Sequence, residues 1–346
     1  MATHQFVRSD ELRARLEARR PRGKWASCRG IAAENDRLLA RGSLPAATVE
    51  AVACPPAMAA ATAEEAAAAA EPPRFAATDL CVANVDSLSA ALALGAADTC
   101  VLSFANAQTP GGRYRTDGRA QEEDLCRLLP QLCPALEGAR GRCYPIAPGT
   151  ALLVRGLAAA RRPGSYELVG GRDAMAGGAG GGGGGGGRAR PAGEQLLLPQ
   201  QQQQQQPQHL PLVTVIVAAM PCGAADRRPP GGWAGSAWAA DVSLRIRSVL
   251  HAARRSGLPH LVLGAFGCGA FGNPAGPVAS LFREQLASPE FRTAFRRVVF
   301  AVIDPLGTGN LAPFRRALAP LLLAPVRTAP SSGGATGGDP PRAARE

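Results

Sequence analysis

The segment over residues 99–129 constrains the fold of this chain more than any other stretch. An apolar run at 100–104 leads into a Pro-Gly-Gly turn and a polar loop, and an apolar segment with helical spacing follows. Gln121, Glu122 and Glu123 stand where that helix begins. The pattern predicts a strand, a glycine loop and an acidic helix start. It therefore places two carboxylates beside backbone N–H groups that can bind an anion.

Segments rich in Val, Leu and Ile alternate with segments of helical spacing along the chain. The spacing predicts strands over 47–53, 80–85, 99–104, 151–157, 212–219, 261–263 and 297–303, and helices over 29–42, 88–94, 121–136, 238–256, 278–286 and 311–323. This alternation predicts an α/β sandwich with a mostly parallel or mixed central sheet. Ligands of such sheets bind beyond the C-terminal ends of the strands.

A second glycine-rich turn follows the strand predicted at 261–263. Residues 264–272 hold four glycines in nine positions between that strand and a helix. Glycine lets the backbone approach an anion closely, and the following helix start adds a partial positive charge. Because both glycine loops follow strands, we expect them to converge on one cleft that suits a diphosphate. Taken alone, such a turn is equally typical of a structural tight turn, and the spacing of a P-loop is absent.

The acidic helix start has two interpretations. Acidic side chains in a first helical turn stabilise the helix simply by complementing its dipole. The alternative is glycosidic cleavage, in which a carboxylic acid protonates the leaving oxygen and its carboxylate then activates water. Adjacent helical residues point roughly 100° apart, so two neighbouring glutamates would have different roles. One would grip a sugar hydroxyl, and the other would transfer the proton.

Composition divides the chain into a folded part and biased tracts. Residues 1–27 are predicted to form a basic flexible leader. A disordered insertion is predicted at about 158–210 because it contains a glycine tract at 180–187 and a glutamine tract at 200–206. The composition of residues 325–346 likewise predicts a disordered tail.

Charge and cysteine content bound the partners and the compartment. The net charge of +11 comes almost entirely from arginine, which indicates either an anionic partner or a bias toward Arg, Ala, Gly and Pro. The arginines are scattered, so we do not expect direct nucleic-acid binding. Nine cysteines without a zinc-type spacing, no secretory leader and no long apolar run predict an intracellular protein without a metal site or a membrane span. The cytoplasm and the nucleus both fit, and an organelle is left open.

Several stretches resemble one known family. VLSFANA at 101–107, PGG at 110–112 and AQEEDLC at 120–126 resemble the signature of the microbial-type poly(ADP-ribose) glycohydrolases, macrodomain proteins with a glycine run followed by QEE. LGAFGCGAFGN at 263–273 resembles the second phosphate loop of that family. The resemblance covers residues 28–318 apart from the predicted insertion. It implies a macrodomain-like, three-layer α/β/α sandwich with a mixed central sheet.

The resemblance also implies an activity, namely hydrolysis of ribose–ribose bonds in poly(ADP-ribose) with release of ADP-ribose. No metal or cofactor is implied, and we expect a monomer that acts on the polymer or on ADP-ribosylated proteins. Glu123 would be the general acid/base, Glu122 would hold ribose hydroxyls, and Gln121 would position the pair. The implied substrate-binding residues are Asn106 near the reacting ribose, Gly111, Gly112 and Arg113 in the first glycine loop, and Gly267, Cys268, Gly269, Ala270, Phe271 and Gly272 in the second.

Arg113 departs from the family pattern, which has a third glycine at this position. Its guanidinium could add a charge-assisted contact to a phosphate or could obstruct the ribose. A second hypothesis is therefore a non-catalytic module that binds ADP-ribose, and a third is an arginine-rich nucleic-acid-binding protein. Binding without cleavage would select the second hypothesis. A steep salt dependence of DNA or RNA binding, unaffected by ADP-ribose, would select the third.

Overall fold

The computed structural model describes residues 5–19, 28, 30–55, 73–170, 210–223, 228–307 and 309–322. Within these residues the strands are β1 (Gln5–Arg8), β2 (Thr48–Ala53), β3 (Ala77–Ala83), β4 (Thr99–Ala105), β5 (Thr150–Ala158), β6 (Leu212–Ala219), β7 (His260–Leu263) and β8 (Arg297–Ala301). The helices are α1 (Asp10–Ala18), α2 (Ile31–Ala40), α3 (Ser87–Leu94), α4 (Gln121–Leu128), α5 (Leu132–Gly138), α6 (Arg140–Cys143), α7 (Ala237–Ser256), α8 (Ala275–Ala287) and α9 (Leu311–Leu322).

All eight strands form one mixed sheet in the order β1-β3-β8-β7-β4-β6-β5-β2. The pairings from β1 to β6 are parallel, whereas β5 runs antiparallel to both β6 and β2. Strands β4 and β7 are neighbours, and Val101 lies beside Val262. The two glycine loops follow these strands, so they leave the sheet side by side at the same edge.

Two apolar cores cover the two faces of the sheet. In β6, Val213, Val215 and Val217 belong to one core, and Ile216 and Ala218 belong to the other. This alternation is what the pleat of a strand buried on both faces requires. Helices α1 to α5 contribute to the first core, and α7, α8 and α9 contribute to the second. The predicted three-layer α/β/α sandwich with a mixed sheet is therefore confirmed.

The predicted strands and helices occur with ends shifted by a few residues, with one exception. The helix predicted over 121–136 is two helices, because α4 ends at Leu128 and α5 begins at Leu132. Pro130 lies between them, and its ring removes a backbone donor and blocks a continuous helix. The break matters for the site because α5 can then pack separately under the first glycine loop.

The prediction of a flexible leader over residues 1–27 is wrong for residues 5–19. Strand β1 adds a parallel edge to the sheet, with Phe6 beside Thr78. Helix α1 begins at a cap in which the Ser9 hydroxyl accepts a hydrogen bond from the N–H of Leu12 at 3.2 Å. Leu12 and Leu16 are buried in the first core. Residues 1–4 and 20–27 lie outside the described part of the chain.

The start predicted for the insertion, at about residue 158, is too early in the chain. Residues 158–170 belong to the folded domain, where a bridge joins Arg161 to Leu168. Arg161 is buried, and its Nε donates to Oδ1 of Asn35 at 2.7 Å while its Nη2 lies 3.1 Å from Oε2 of Glu34. Residues 171–209 and the predicted tail at 325–346 lie outside the described residues.

None of the helices that the structure describes is both long enough and apolar enough to span a bilayer.

The docking of α1 can be tested by a core truncation. Leu16 is fully buried, so Leu16→Ala should lower the free energy of unfolding by roughly 2–5 kcal/mol in a denaturant titration. Glu11 is exposed on the same helix, and Glu11→Ala should lower it by less than about 1 kcal/mol. Equally small effects of both substitutions would mean that α1 does not pack on the sheet.

Candidate active site

A cavity of about 1040 Å³ lies at the C-terminal edge of the parallel strands. Four loops supply most of its wall, namely those that follow β3, β4, β7 and β8. The loops that follow β4 and β7 thus border one cleft, but residues 110–112 of the first glycine loop are not in its wall. Of the predicted site residues, those in the wall are Arg113, Gln121, Glu123, Gly267, Gly269, Ala270 and Phe271.

Glu123 lies in the cavity wall with only 6% of its surface exposed. Its Oε1 accepts a hydrogen bond from the N–H of Arg113 at 2.8 Å, and its Oε2 accepts one from the N–H of Ala120 at 2.9 Å. The second bond is the carboxylate half of a capping box, because Glu123 is the third residue of α4. Both oxygens are thus fixed in place, and each keeps a further lone pair for a ligand or water.

Glu122 is buried next to Glu123 but is not part of the cavity wall. Its Oε2 accepts from the N–H of Asn106 at 2.8 Å, and the N–H of Gly111 also bonds to this carboxyl. Its Oε1 is buried without a partner among the described residues. Burial raises the pKa of Glu122 to about 8, the charge of Glu123 adds to the rise, and the two N–H bonds oppose it. The carboxyl is therefore largely protonated near neutral pH.

The first glycine loop requires a correction. The N–H of Gly111 bonds to Glu122, and the N–H of Gly112 donates at 3.0 Å to a carbonyl of its own turn, so neither is free to cradle a diphosphate. A Cβ at Gly112 would lie 2.6 Å from Oε1 of Glu123, and one at Gly111 would lie 2.8 Å from Sγ of Cys133. Both glycines have positive φ. They are required because the turn packs tightly on the carboxyls and on a buried thiol.

Gln121 ties the start of α4 to the end of β4. Its Oε1 accepts from the N–H of Phe104 at 2.9 Å, and its Nε2 donates to the carbonyl of Leu102 at 2.8 Å. The same nitrogen donates to Oγ of Ser87 at 3.1 Å. These three bonds set where the helix begins relative to the sheet edge. They are the contacts that a residue positioning the two following glutamates would need.

The second glycine loop presents free donors to the cavity. Gly269, Ala270 and Phe271 lie in the wall, and their N–H groups bond to no acceptor among the described residues. Asn273 closes the loop beneath them, since its backbone N–H and its Nδ2 each donate to the carbonyl of Gly267 at 3.0 Å. Consecutive unpaired N–H groups in a turn form a concave anion site.

Three predicted site residues shape these loops from behind the wall. Burial raises the pKa of the Cys268 thiol to about 12, so the thiol stays protonated. Gly272 has a φ of 67° and closes the second loop. The Asn106 side chain accepts from two N–H groups of the following turn at 2.8 and 3.0 Å, while its own N–H holds Glu122.

Two further groups at the cavity were not predicted. Asp86 caps α3, since its Oδ1 accepts from the N–H of Ser89 at 2.7 Å, but its Oδ2 is buried at the cavity without a hydrogen-bond partner among the described residues. Burial raises the pKa of Asp86. Tyr166 donates to Oδ1 of Asp124 at 2.6 Å from within the tract assigned to the insertion. The sequence could have indicated Asp86, because an aspartate that caps a helix uses only one of its two carboxylate oxygens for the cap.

Among the described residues, no group of three or more His, Cys, Asp or Glu side chains is arranged to hold a metal ion.

The raised pKa of Glu122 predicts a pH-dependent stability. The folded protein binds a proton that the unfolded chain releases above about pH 4.5, so Glu122 lowers stability increasingly as the pH rises toward about 8. Glu122→Gln removes this titration and keeps an acceptor for the N–H of Asn106. We expect the melting temperature of the variant minus that of the wild type to rise between about pH 5 and about pH 8.5.

Glu284→Gln, at an exposed helical position, is the matched control, and its melting temperature minus that of the wild type should not change with pH. A constant difference for Glu122→Gln would contradict the prediction.

The second glycine loop predicts a contrast between two alanine substitutions. A Cβ at Gly267, where φ is 71°, would lie 2.6 Å from Cβ of Met220, whereas a Cβ at Gly269 would meet nothing within 4 Å. Gly267→Ala should lower the free energy of unfolding by about 1–3 kcal/mol, and Gly269→Ala should leave it nearly unchanged. Thermal melts of the two variants test this, and similar losses would show that the loop geometry is wrong.

Comparison with known proteins finds one family model. Residues 34–144 match the family model described as microbial-type PARG, catalytic domain, where PARG is poly(ADP-ribose) glycohydrolase. No curated protein sequence matches this chain.

Solved structures match over most of the chain. The PARG from Thermomonospora curvata is 24% identical with a TM-score of 0.55, and the match covers 84% of this chain and 98% of that one. The T. curvata enzyme bound to the inhibitor ADP-HPD is 25% identical with a TM-score of 0.54 and the same coverage. The Deinococcus radiodurans PARG in complex with ADP-ribose is 24% identical with a TM-score of 0.54, covering 86% of this chain and all of that one. The predicted resemblance is confirmed: the chain carries the microbial-type PARG catalytic-domain signature within the fold of the bacterial PARG structures.

Proposed function

We propose that this protein hydrolyses ribose–ribose glycosidic bonds in poly(ADP-ribose) and releases ADP-ribose. The observation that carries the proposal is that one cavity is lined both by Glu123, one of two adjacent fixed carboxyls, and by a turn with three free N–H groups. The pair is Glu122 and Glu123, and the turn is 269–271. The match to the microbial-type PARG model and the related structures with ADP-ribose or ADP-HPD bound support the same reaction.

The substrate contacts follow from the groups that remain free. The N–H groups of Gly269, Ala270 and Phe271 would bind the diphosphate. The unpartnered Oδ2 of Asp86 would accept a hydrogen bond from a donor group of the nucleotide. Phe271 is half-buried, and its ring would pack on the ribose or the base. A cavity of about 1040 Å³ is at the upper end of the usual range for small-molecule sites and therefore holds a dinucleotide-sized ligand.

Proton transfer would be the task of the carboxyl pair. Burial raises the pKa of Glu122 to about 8, so this carboxyl holds a proton next to Glu123 near neutral pH. We assign the general acid to Glu123, because it faces the cavity. It would protonate the leaving ribose oxygen as the glycosidic bond breaks and the sugar becomes oxocarbenium-like. The resulting carboxylate would then accept a proton from the water that attacks the anomeric carbon.

Glu122 would support this step from behind. The family resemblance assigns it to a ribose hydroxyl, and its Oε1 has no partner among the described residues, although it is buried behind the cavity wall. Gln121 would position the helix start that carries both glutamates. We propose that the reaction needs no metal ion, since this acid/base cycle balances its protons without one. Treatment with EDTA should therefore leave the rate unchanged.

The setting of the reaction is also part of the proposal. We infer that the protein acts as a monomer inside the cell, in the cytoplasm or the nucleus, on the polymer or on ADP-ribosylated proteins. All nine cysteines are unpaired, as a reducing compartment favours. Direct nucleic-acid binding is not part of the proposed function.

The decisive substitution is Glu123→Gln, which removes the titratable proton and keeps the size of the side chain. Release of ADP-ribose from automodified polymer should fall by roughly 10²- to 10⁴-fold, the usual contribution of a general acid/base. Affinity for ADP-ribose, measured by calorimetry, should remain within a few-fold. Glu284→Gln is the control and should retain full activity. Full activity of Glu123→Gln would refute the assignment, and a wild type that binds ADP-ribose without releasing it from polymer would instead be a reader module.

A further inference from the structure

Two arginines flank Glu123 at the cavity. The N–H of Arg113 bonds to one oxygen of the carboxylate, and Arg119 directly precedes Ala120, whose N–H bonds to the other. Both arginines are exposed, and both belong to the cavity wall. Each donor to the proposed acid is thus accompanied by a cationic side chain.

The loop between these arginines folds back on itself. The N–H of Gly118 donates to the carbonyl of Arg113 at 2.9 Å, and the N–H of Thr116 donates to the same carbonyl at 3.0 Å. A Cβ at Gly118 would lie 2.7 Å from Cβ of Arg113, so only glycine allows the two ends of the loop to approach this closely. Because Arg119 directly follows Gly118, both arginines belong to the closely approaching ends of this loop.

Neither guanidinium forms an ion pair or a hydrogen bond with any residue that the structure describes. Arg115, in the same loop, is by contrast paired with Asp36 at 3.1 Å and with Glu137 at 2.8 Å. Asp117 is the only acidic residue in this loop, and it pairs with neither cavity arginine. Two unneutralised cations consequently face the cavity beside Glu123.

The chemistry of the polymer identifies an anion for these cations. The diphosphate of the bound unit has donors of its own at residues 269–271. On cleavage, the oxygen that leaves is the 2′-oxygen of a second adenosine, and the same ribose carries a 5′-diphosphate. That second diphosphate is one sugar ring away from the bond that Glu123 would protonate. Arginine binds phosphate oxygens through two parallel N–H bonds and has a long, flexible side chain to reach them.

We propose that Arg113 and Arg119 bind the diphosphate of the unit on the leaving side of the scissile bond, and so make the protein prefer polymer to free ADP-ribose. The inference rests on the proposed function and assigns a second phosphate site within it. It also gives Arg113 a role at the position where the family pattern has glycine.

Binding measurements separate this inference from catalysis. In the Glu123→Gln background, where cleavage is blocked, we would measure the affinity for free ADP-ribose and for a linked ADP-ribose dimer. Replacing both arginines by glutamine keeps the backbone N–H that holds residue 123. The double variant should bind the dimer about tenfold more weakly and bind the monomer within about twofold of the parent. The salt dependence of log Kd for the dimer should decrease by about one unit of slope or more.

Two further variants serve as controls. Arg292 is exposed and precedes β8, at the opposite edge of the sheet, so Arg292→Gln changes the net charge without touching the cavity and should affect neither ligand. Replacing both cavity arginines by lysine should restore part of the dimer affinity, whereas a folding defect would not be rescued.

The outcomes distinguish the possibilities. Equal losses for monomer and dimer would overturn the inference, because the arginines would then hold the diphosphate of the bound unit. No loss for either ligand would overturn it as well. A parent that binds neither ligand would overturn the proposed function together with the inference. If the wild-type protein binds both ligands but cleaves no polymer, only the catalytic proposal is refuted.

Discussion

Four backbone N–H groups converge on two adjacent buried carboxyls, and the arrangement of the rest of the site follows from this. Burying a carboxyl without partners would cost several kcal/mol, a large part of the net stability of a domain. The first glycine loop and the start of α4 supply the donors, which belong to Asn106, Gly111, Arg113 and Ala120. The turn must come within contact distance of both side chains, which leaves no room for a Cβ at Gly112.

The two glycine loops share a composition but differ in what their N–H groups bind. The first precedes a helix with three acidic residues in its first turn, so the protein's own carboxyls occupy its donors. The second precedes α8, which has no acidic residue in its first turn, and its donors remain open to the cavity. The same backbone chemistry therefore holds two carboxyls at one strand end and leaves unpaired donors at its neighbour. The diphosphate of the proposed substrate would then lie near the carboxyls without competing for their donors.

The features that local sequence patterns determine were predictable. The strands, the acidic helix start and the second glycine loop all follow from short-range spacing, and the neighbouring positions of β4 and β7 then bring them to one edge. The role of Gly111 was not predictable, because it depends on a thiol of α5 that reaches the loop only after Pro130 has broken the helix. Strand β1 escaped prediction since its partner β3 lies about seventy residues away in the chain. Tyr166 escaped because it adjoins a biased tract, although its hydroxyl contacts Asp124.

The junctions around residues 171–209 have a consequence for how the chain can vary. Before this tract, the N–H of Val169 donates to the carbonyl of Ala160 at 2.9 Å, and after it the carbonyl of Pro211 accepts from the N–H of Ala159 at 2.9 Å. The tract therefore begins and ends at places that lie close together in the fold. The residues that pair β5 with β6 all lie outside the tract. Closing a longer loop adds only a slowly growing entropic penalty. A homopolymer run can therefore lengthen or shorten between these junctions without altering the strand register of the sheet.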